Sequence, residues 1–280
     1  MNIRRPPLRK RSRGMLKELK VLLDQIAKEV ETPAYVPDDP VQFIHAFEEK
    51  RDREIAGFLA ALMAWGRRDI VIRKTDDLLS RMNYEPAAYV MHYSPARAED
   101  FRTFRHRTFN QTDIHSLLSS LHCIYTEFED FEAFWISCSR EAYATGRPLL
   151  SVFHQRFLSL TPEFAPRSRK HISTPDSGSP CKRLNMFLRW AVRKESPVDA
   201  GIWNLLPESE LLVPLDVHVA RQSRRLGLLT RRSNDWKAVL ELTEVFRHMD
   251  PEDPSKYDFA LFGLGALGHS LPPQFHLNAV

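Results

Sequence analysis

Residues 54–82 read EIAGFLAALMAWGRRDIVIRKTDDLLSRM. Apolar side chains recur here every three or four positions, the period of an α-helix. Gly66 sits mid-run beside Trp65, so the spacing predicts two helices that meet near Trp65-Gly66. The same period returns on both sides. Met15, Leu19, Leu22, Leu23, Ile26 and Val30 predict a helix over residues 14–30. Further helices are expected from Asp113 to Phe128, from Phe131 to Tyr143 and from Asp235 to Met249. The last of these is stopped by the Asp-Pro-Glu-Asp-Pro turn. Ser255 to Leu267 reads as helical until its glycines, and residues 161–180, mixing Pro, Ser, Thr and Gly with basic residues, read as a loop. Alternating strands are scarce and no internal repeat is visible. The expected fold class is all-α.

Composition narrows the setting. A chain of 280 residues can bury a large core, as one domain or as two subdomains sharing a cleft. No apolar run is long enough to span a bilayer, and no signal-peptide core follows the basic start. The expectation is a cytoplasmic protein without a membrane partner. Three cysteines, Cys123, Cys138 and Cys181, are too few and too widely spaced for a disulfide framework or a cysteine-held metal site. Net charge is +4 but unevenly spread. Arg4, Arg5, Arg9, Lys10, Arg11 and Arg13 precede the first acid, Glu18, and residues 1–13 read as a basic flexible tail. Arg67-Arg68, Arg167 to His171, Arg221 to Arg225 and Arg231-Arg232 are further clusters. Each alone reads as a solvated face, whereas the whole set leans toward a phosphate backbone.

Two motifs are set aside. Gly263-Leu-Gly-Ala-Leu-Gly268 matches the dinucleotide fingerprint in letters but has no preceding strand and only twelve residues after it. Helix packing explains these glycines better. His218 beside Asp216 lacks the further ligands of a metal site.

The chemistry concentrates in two stretches, SPCKRLNMFLRW at 179–190 and VPLDVHVARQSRRLGL at 213–228. Ser179 as N-cap and Pro180 at the first helical position predict a helix start. Leu184, Phe187, Leu188 and Ala191 are its apolar stripe. Lys182, Asn185, Arg189 and Arg193 are expected on the opposite face. Lys182 falls in the first turn, where the positive end of the helix dipole and nearby Arg183 and Arg189 disfavour an ammonium, as a nucleophilic amine requires. Asp216 follows Pro214 and precedes a Val/Ala/Leu helix, the position of an N-cap carboxylate. Taken singly, Lys182 reads as an exposed helix residue and Asp216 as a cap.

Together they carry a resemblance. Residues 213–228 resemble the stretch after the helix-hairpin-helix in DNA glycosylases of the endonuclease III superfamily, and the essential Asp of that stretch maps onto Asp216. Lys182 with Phe187-Leu188-Arg189 resembles the helix that carries the Schiff-base Lys in 8-oxoguanine glycosylases of that superfamily. The 34-residue separation of Lys182 and Asp216 is closest to the archaeal-type 8-oxoguanine branch. Residues 58–79 resemble the superfamily's early helix pair, with Trp65 to Arg67 where many members place a Gln-containing turn. The hairpin, usually Leu-Pro-Gly-x-Gly, reads Thr-Pro-Asp-Ser-Gly-Ser-Pro at 174–180, and the C-terminal Cys quartet of some members is missing. The whole chain also resembles an uncharacterised bacterial domain family with Cys-Lys-Arg-Leu-Asn-Met-Phe-Leu-Arg-Trp and Pro-Leu-Asp-x-His-Val as signatures.

The glycosylase resemblance implies one unit over residues 14–280, with a central helical subdomain of about 46–196 and a second built from about 14–45 and 197–280. It implies a damaged base flipped into the cleft between them. It also implies attack by Lys182 on the sugar C1′ with Asp216 steadying the developing charge, and strand nicking by β-elimination. Arg67, Arg189, Arg221 and Arg224 are the candidate phosphate contacts. Trp65, Trp203 and His218 are the candidate base pocket, with Trp190 a further possible wall. Damaged duplex DNA is the expected partner of a monomer, with no metal and no cofactor. Two other classes stay open: a DNA- or RNA-binding protein that kept the scaffold without the chemistry, and an all-α protein of unrelated function.

Overall fold

Helix boundaries follow from side chains that satisfy the free amides at helix starts. In the computed structural model, residues 13–162, 164–266, 268, 271–272 and 275 are described; most of the basic tail expected at 1–13 lies outside them. The first half of the chain forms α1 (Arg13–Val30), the single-turn α2 (Gln42–His45), α3 (Lys50–Met63), α4 (Arg68–Ser80), α5 (Pro86–Met91) and α6 (Gln111–Glu127). The second half forms α7 (Phe131–Thr145), α8 (Leu149–Ser159), α9 (Lys182–Val192), α10 (Val217–Arg225), α11 (Trp236–Met249) and α12 (Tyr257–Ala266). Asn110 and Asp113 make a reciprocal capping box at the start of α6. Asp130, Asp216 and Asp235 cap α7, α10 and α11. Among the described residues no strand forms beyond one isolated bridge, His106 to Phe109. The fold is all-α.

The long 54–82 run is two helices, with the break over residues 64–67. Three helices were missed, the single-turn α2 among them. α8 buries Leu150, Val152, Phe153 and Phe157, an apolar face the pattern does carry. α5 is short and opens on Pro86. The loop over 161–180 contains two 3₁₀ turns, Pro166–His171 and Pro175–Ser177.

One expected boundary is corrected. Ser179 does not cap a helix beginning at Pro180. The Ser179 hydroxyl instead accepts from the Cys181 amide at 3.2 Å. Cys181 adopts a left-handed conformation, φ 48° and ψ 35°, and α9 begins at Lys182. A non-glycine residue is seldom held there, so the chain turns sharply just before Lys182.

α3 and α9 pack against each other at the centre of the molecule. Every residue of α3 from Glu54 to Met63 is buried, as is every residue of α9 from Leu184 to Val192. Phe58, Phe131, Trp135, Phe153, Phe157, Phe187 and Trp203 fill the space around them, with Trp135 and Phe153 stacked at 3.8 Å. The two ends of the chain meet elsewhere: α1 lies on α12, α12 crosses α10, and α11 touches α1. One continuous apolar core joins both groups.

A single acid organises the aromatic centre. Glu54 is fully buried and accepts four hydrogen bonds, from the Trp203 indole at 2.7 Å, the Tyr125 hydroxyl at 2.9 Å and the amides of Phe131 at 3.1 Å and Glu132 at 3.2 Å. Burial pushes its carboxyl above the usual range, Asp130 adds to that, and the donors pull it back. Trp203, expected in a base pocket, is fixed here at zero exposure. Replacing Glu54 with Ala strands all four donors. The Glu54→Ala protein is expected to lose at least about 3 kcal/mol in urea unfolding; a loss under about 1 kcal/mol would contradict this role.

Candidate active site

Lys182 and Asp216 line one cleft of about 390 Å³. The amine comes from the first residue of α9 and the carboxylate from the N-cap of α10. The helix of the chain's middle and a helix of its C-terminal part therefore meet across this space. Lys182 makes no hydrogen bond or ion pair with the described residues. Asp216 accepts through Oδ1 from the amides of His218 at 2.8 Å and Val219 at 2.9 Å, which leaves Oδ2 without a partner among the described residues. The cap fixes the carboxylate in place, and its second oxygen is open to a ligand.

The expected faces of α9 need revision. Lys182, Met186 and Arg189 turn to the cleft. Asn185 lines a separate apolar cavity of about 380 Å³ with Leu188, Trp236 and Leu240. Arg193 is buried in ion pairs away from solvent.

Arg189 also differs from expectation. It is only 3% exposed, and its guanidinium bonds Asp199 at 3.2 Å and Asp258. It lies 4.3 Å from the Phe259 ring centre. Its charge is committed to the cleft floor, which is why it is not placed as a phosphate contact. Arg193 continues the network to Asp199 at 3.0 Å, Asp253 at 2.7 Å and Glu31. Two guanidinium groups thus face four carboxylates.

Asp258 is the cleft residue that the sequence reading missed. It is the single charged residue of α12, set between Tyr257 and Phe259. A lone acid in an otherwise apolar helix was the available signal. Burial pushes its carboxyl up to about 6; Arg189 and Lys182 oppose that, while Asp216 and Asp199 reinforce it. The opposite wall holds Tyr35, Asp39 and Arg68. Arg68 bonds the Tyr35 hydroxyl at 2.6 Å and Asp39 at 3.0 Å, and lies 4.2 Å from the Phe262 ring centre. Burial raises the Tyr35 phenol far above its ordinary range.

The remaining expected residues scatter. His218 lines the cleft, and so does Trp190, whose buried indole N–H has no partner among the described residues. Trp65 is 48% exposed, between the cleft-lining Ala64 and Gly66. Gly66 is required in this turn: φ is +111°, and a Cβ would stand 2.2 Å from the Arg107 guanidinium. That guanidinium lies 5.6 Å from the Trp65 ring centre and holds the Trp65 carbonyl at 3.3 Å. Arg67 is exposed and paired with Asp69 at 2.9 Å. Arg221 is exposed on α10. Arg224 instead braces the next loop, bonding the Arg231 carbonyl at 2.8 Å and Asn234 at 2.6 Å. The Gly178 carbonyl in the 174–180 turn accepts from the Trp236 amide at 3.0 Å, so α11 already occupies it. Gly265 lies inside α12 against Gln222 and His218 of α10, a packing role consistent with setting the fingerprint aside.

Among the described residues, no group of three or more His, Cys, Asp or Glu side chains could hold a metal ion. No described helix is long and apolar enough to cross a membrane. The chain belongs to a family described as a protein of unknown function, DUF2400, which it matches over residues 39–267. That span includes Lys182, Asp216 and Asp258. No curated protein and no solved structure matches the chain.

Asp258 gives a pH signature. Its folded value of about 6 lies above the ordinary 3.8, so folding takes up a proton between those two pH values. Its stabilising share is full below about 3.8 and is lost as pH rises through about 6. The stability of wild type relative to Asp258→Asn should therefore fall by about 2 kcal/mol between pH 4 and 7.5. Urea unfolding of both proteins across that range checks it; a difference independent of pH would count against it.

Proposed function

We propose that this cleft is the active site of a base-excision DNA glycosylase with lyase activity. The carrying observation is the meeting of an unpaired Lys182 with the open oxygen of a fixed Asp216, from two helices far apart in the chain. The damaged nucleotide rotates out of the duplex into the cleft. Lys182, as the neutral amine, attacks C1′ and the bond to the base breaks. Asp216 Oδ2 stabilises the positive charge that develops on the sugar. The adduct opens to a Schiff base, from which β-elimination nicks the strand. The exposed Trp65, between the cleft-lining Ala64 and Gly66, takes up the gap in the stack. Arg67 and Arg221 are exposed cations for the phosphate backbone. An oxidised purine such as 8-oxoguanine is the first lesion to test.

One observation favours a second reading, a nucleic-acid-binding protein without the chemistry. The 174–180 turn has a single glycine, and its carbonyl is taken by α11. The retained Lys182 and Asp216 argue for catalysis.

Borohydride trapping on duplexes carrying 8-oxoguanine, uracil, thymine glycol or an abasic site separates the readings. Wild type is expected to give a covalent adduct with at least one of them, and Lys182→Ala none. Lys182→Gln should keep its affinity for the same duplex in a gel-shift titration. Binding without any wild-type adduct would leave the second reading; neither binding nor adduct would leave an all-α protein of unrelated function.

A further inference from the structure

We propose that Asp258 is a third catalytic group, the acid that protonates the departing base as Lys182 attacks C1′. This assignment rests on the glycosylase reading and adds to it a source for the proton that the reaction consumes.

The two carboxyl groups of the cleft are held differently. Asp216 sits at a helix start with one oxygen bonded to two amides. That placement holds the Asp216 carboxylate against the start of α10. Asp258 stands on the floor, with one oxygen on Arg189 and the other without a partner among the described residues. Burial makes a proton there favourable, and Asp216 and Asp199 add to it against the pull of Arg189 and Lys182. Arg189 and Arg193 face Asp199, Asp253, Glu31 and Asp258, so carboxylates outnumber guanidinium groups. Protonating one member relieves the excess negative charge. Asp258 is the member that also lines the cleft.

The charged groups around it come from every side. α9 supplies Lys182 and Arg189, and the segment after α9 supplies Asp199. The cap of α10 supplies Asp216, and His218 faces the same space. Tyr35 and Arg68 stand on the opposite wall. α1, which packs along α12, turns Asp24 to Tyr257 and Lys256 rather than to Asp258. The acid is half protonated near pH 6, so a working fraction survives at neutral pH. Two carboxyl groups whose surroundings differ in this way divide acid and charge-stabilising roles.

The step balances. The Lys182 nitrogen lone pair forms the bond to C1′, and the C1′–N bond electrons leave with the base. The Asp258 O–H proton passes to the base, which departs neutral. Solvent, to which the cleft opens, reprotonates the Asp258 carboxylate and accepts the proton lost from the new Lys182–C1′ ammonium.

Asp258→Asn tests the assignment, because a preformed abasic site has no base to release. Single-turnover excision on the 8-oxoguanine, uracil and thymine glycol duplexes is measured from pH 5 to 8 beside borohydride trapping on the abasic duplex. Wild-type excision should fall as pH rises through about 6. Asp258→Asn should be slower by about 100-fold at pH 6 and lack that limb. Its abasic trapping should stay within about threefold of wild type, which also shows that it folds. An unchanged excision rate and pH limb in Asp258→Asn would overturn the assignment. Equal losses on lesion and abasic duplexes would do so as well, by making Asp258 a support for Lys182. So would a wild type that traps the abasic duplex but excises no base. A wild type that traps nothing would instead overturn the glycosylase reading beneath it.

Discussion

Arg189 on α9 and Arg193 at its C-terminal cap, four residues on, tie the two ends of the chain to its middle. Arg193 reaches Glu31 just after α1 and Asp253 just before α12, and Arg189 reaches Asp258 within α12. Both share Asp199. Removing so many charges from water is expensive, and such a network is poor evidence of net stability. Its value is in specification. Removing one partner strands a buried charge at a cost of about 3–5 kcal/mol, so an alternative docking of α12 on α9 is strongly penalised. The cleft exists because that docking is fixed.

The same network sets the electrostatics of the site. Of its four carboxylates, Asp258 is the one that lines the cleft with Lys182. Lys182 is the one cleft cation without a carboxylate within ion-pairing distance among the described residues, since Arg68 holds Asp39 and Arg189 holds Asp199 and Asp258. An amine, a capped carboxylate and a buried acid thus line one cleft.

Much of the fold was legible because helical periodicity survives wherever one face is buried. The pair of helices within 54–82, the helix over 14–30 and the cap at Asp216 all read directly. The convergence of Lys182 and Asp216 was legible only through resemblance, since no spacing rule joins residues on separate helices. Arg189 and Arg193 were misread for a physical reason. An i, i+4 arginine pair opposite a Leu/Phe stripe looks like a solvated face, and only the tertiary partners Asp199, Asp253 and Asp258 reveal its burial. Trp203 was misplaced likewise, because the donor that binds Glu54 lies 149 positions from it in sequence. Asn185 went to the wrong face because a helix sandwiched between two cavities has no single polar side.

The central claim is that the Lys182 amine is the atom that bonds to substrate. Tandem mass spectrometry of the digested, borohydride-reduced complex with an abasic duplex tests it most directly. The account predicts a sugar-derived mass on the peptide containing Lys182 and on no other lysine. The same mass spread over surface lysines, or placed on a lysine outside the cleft, would contradict it.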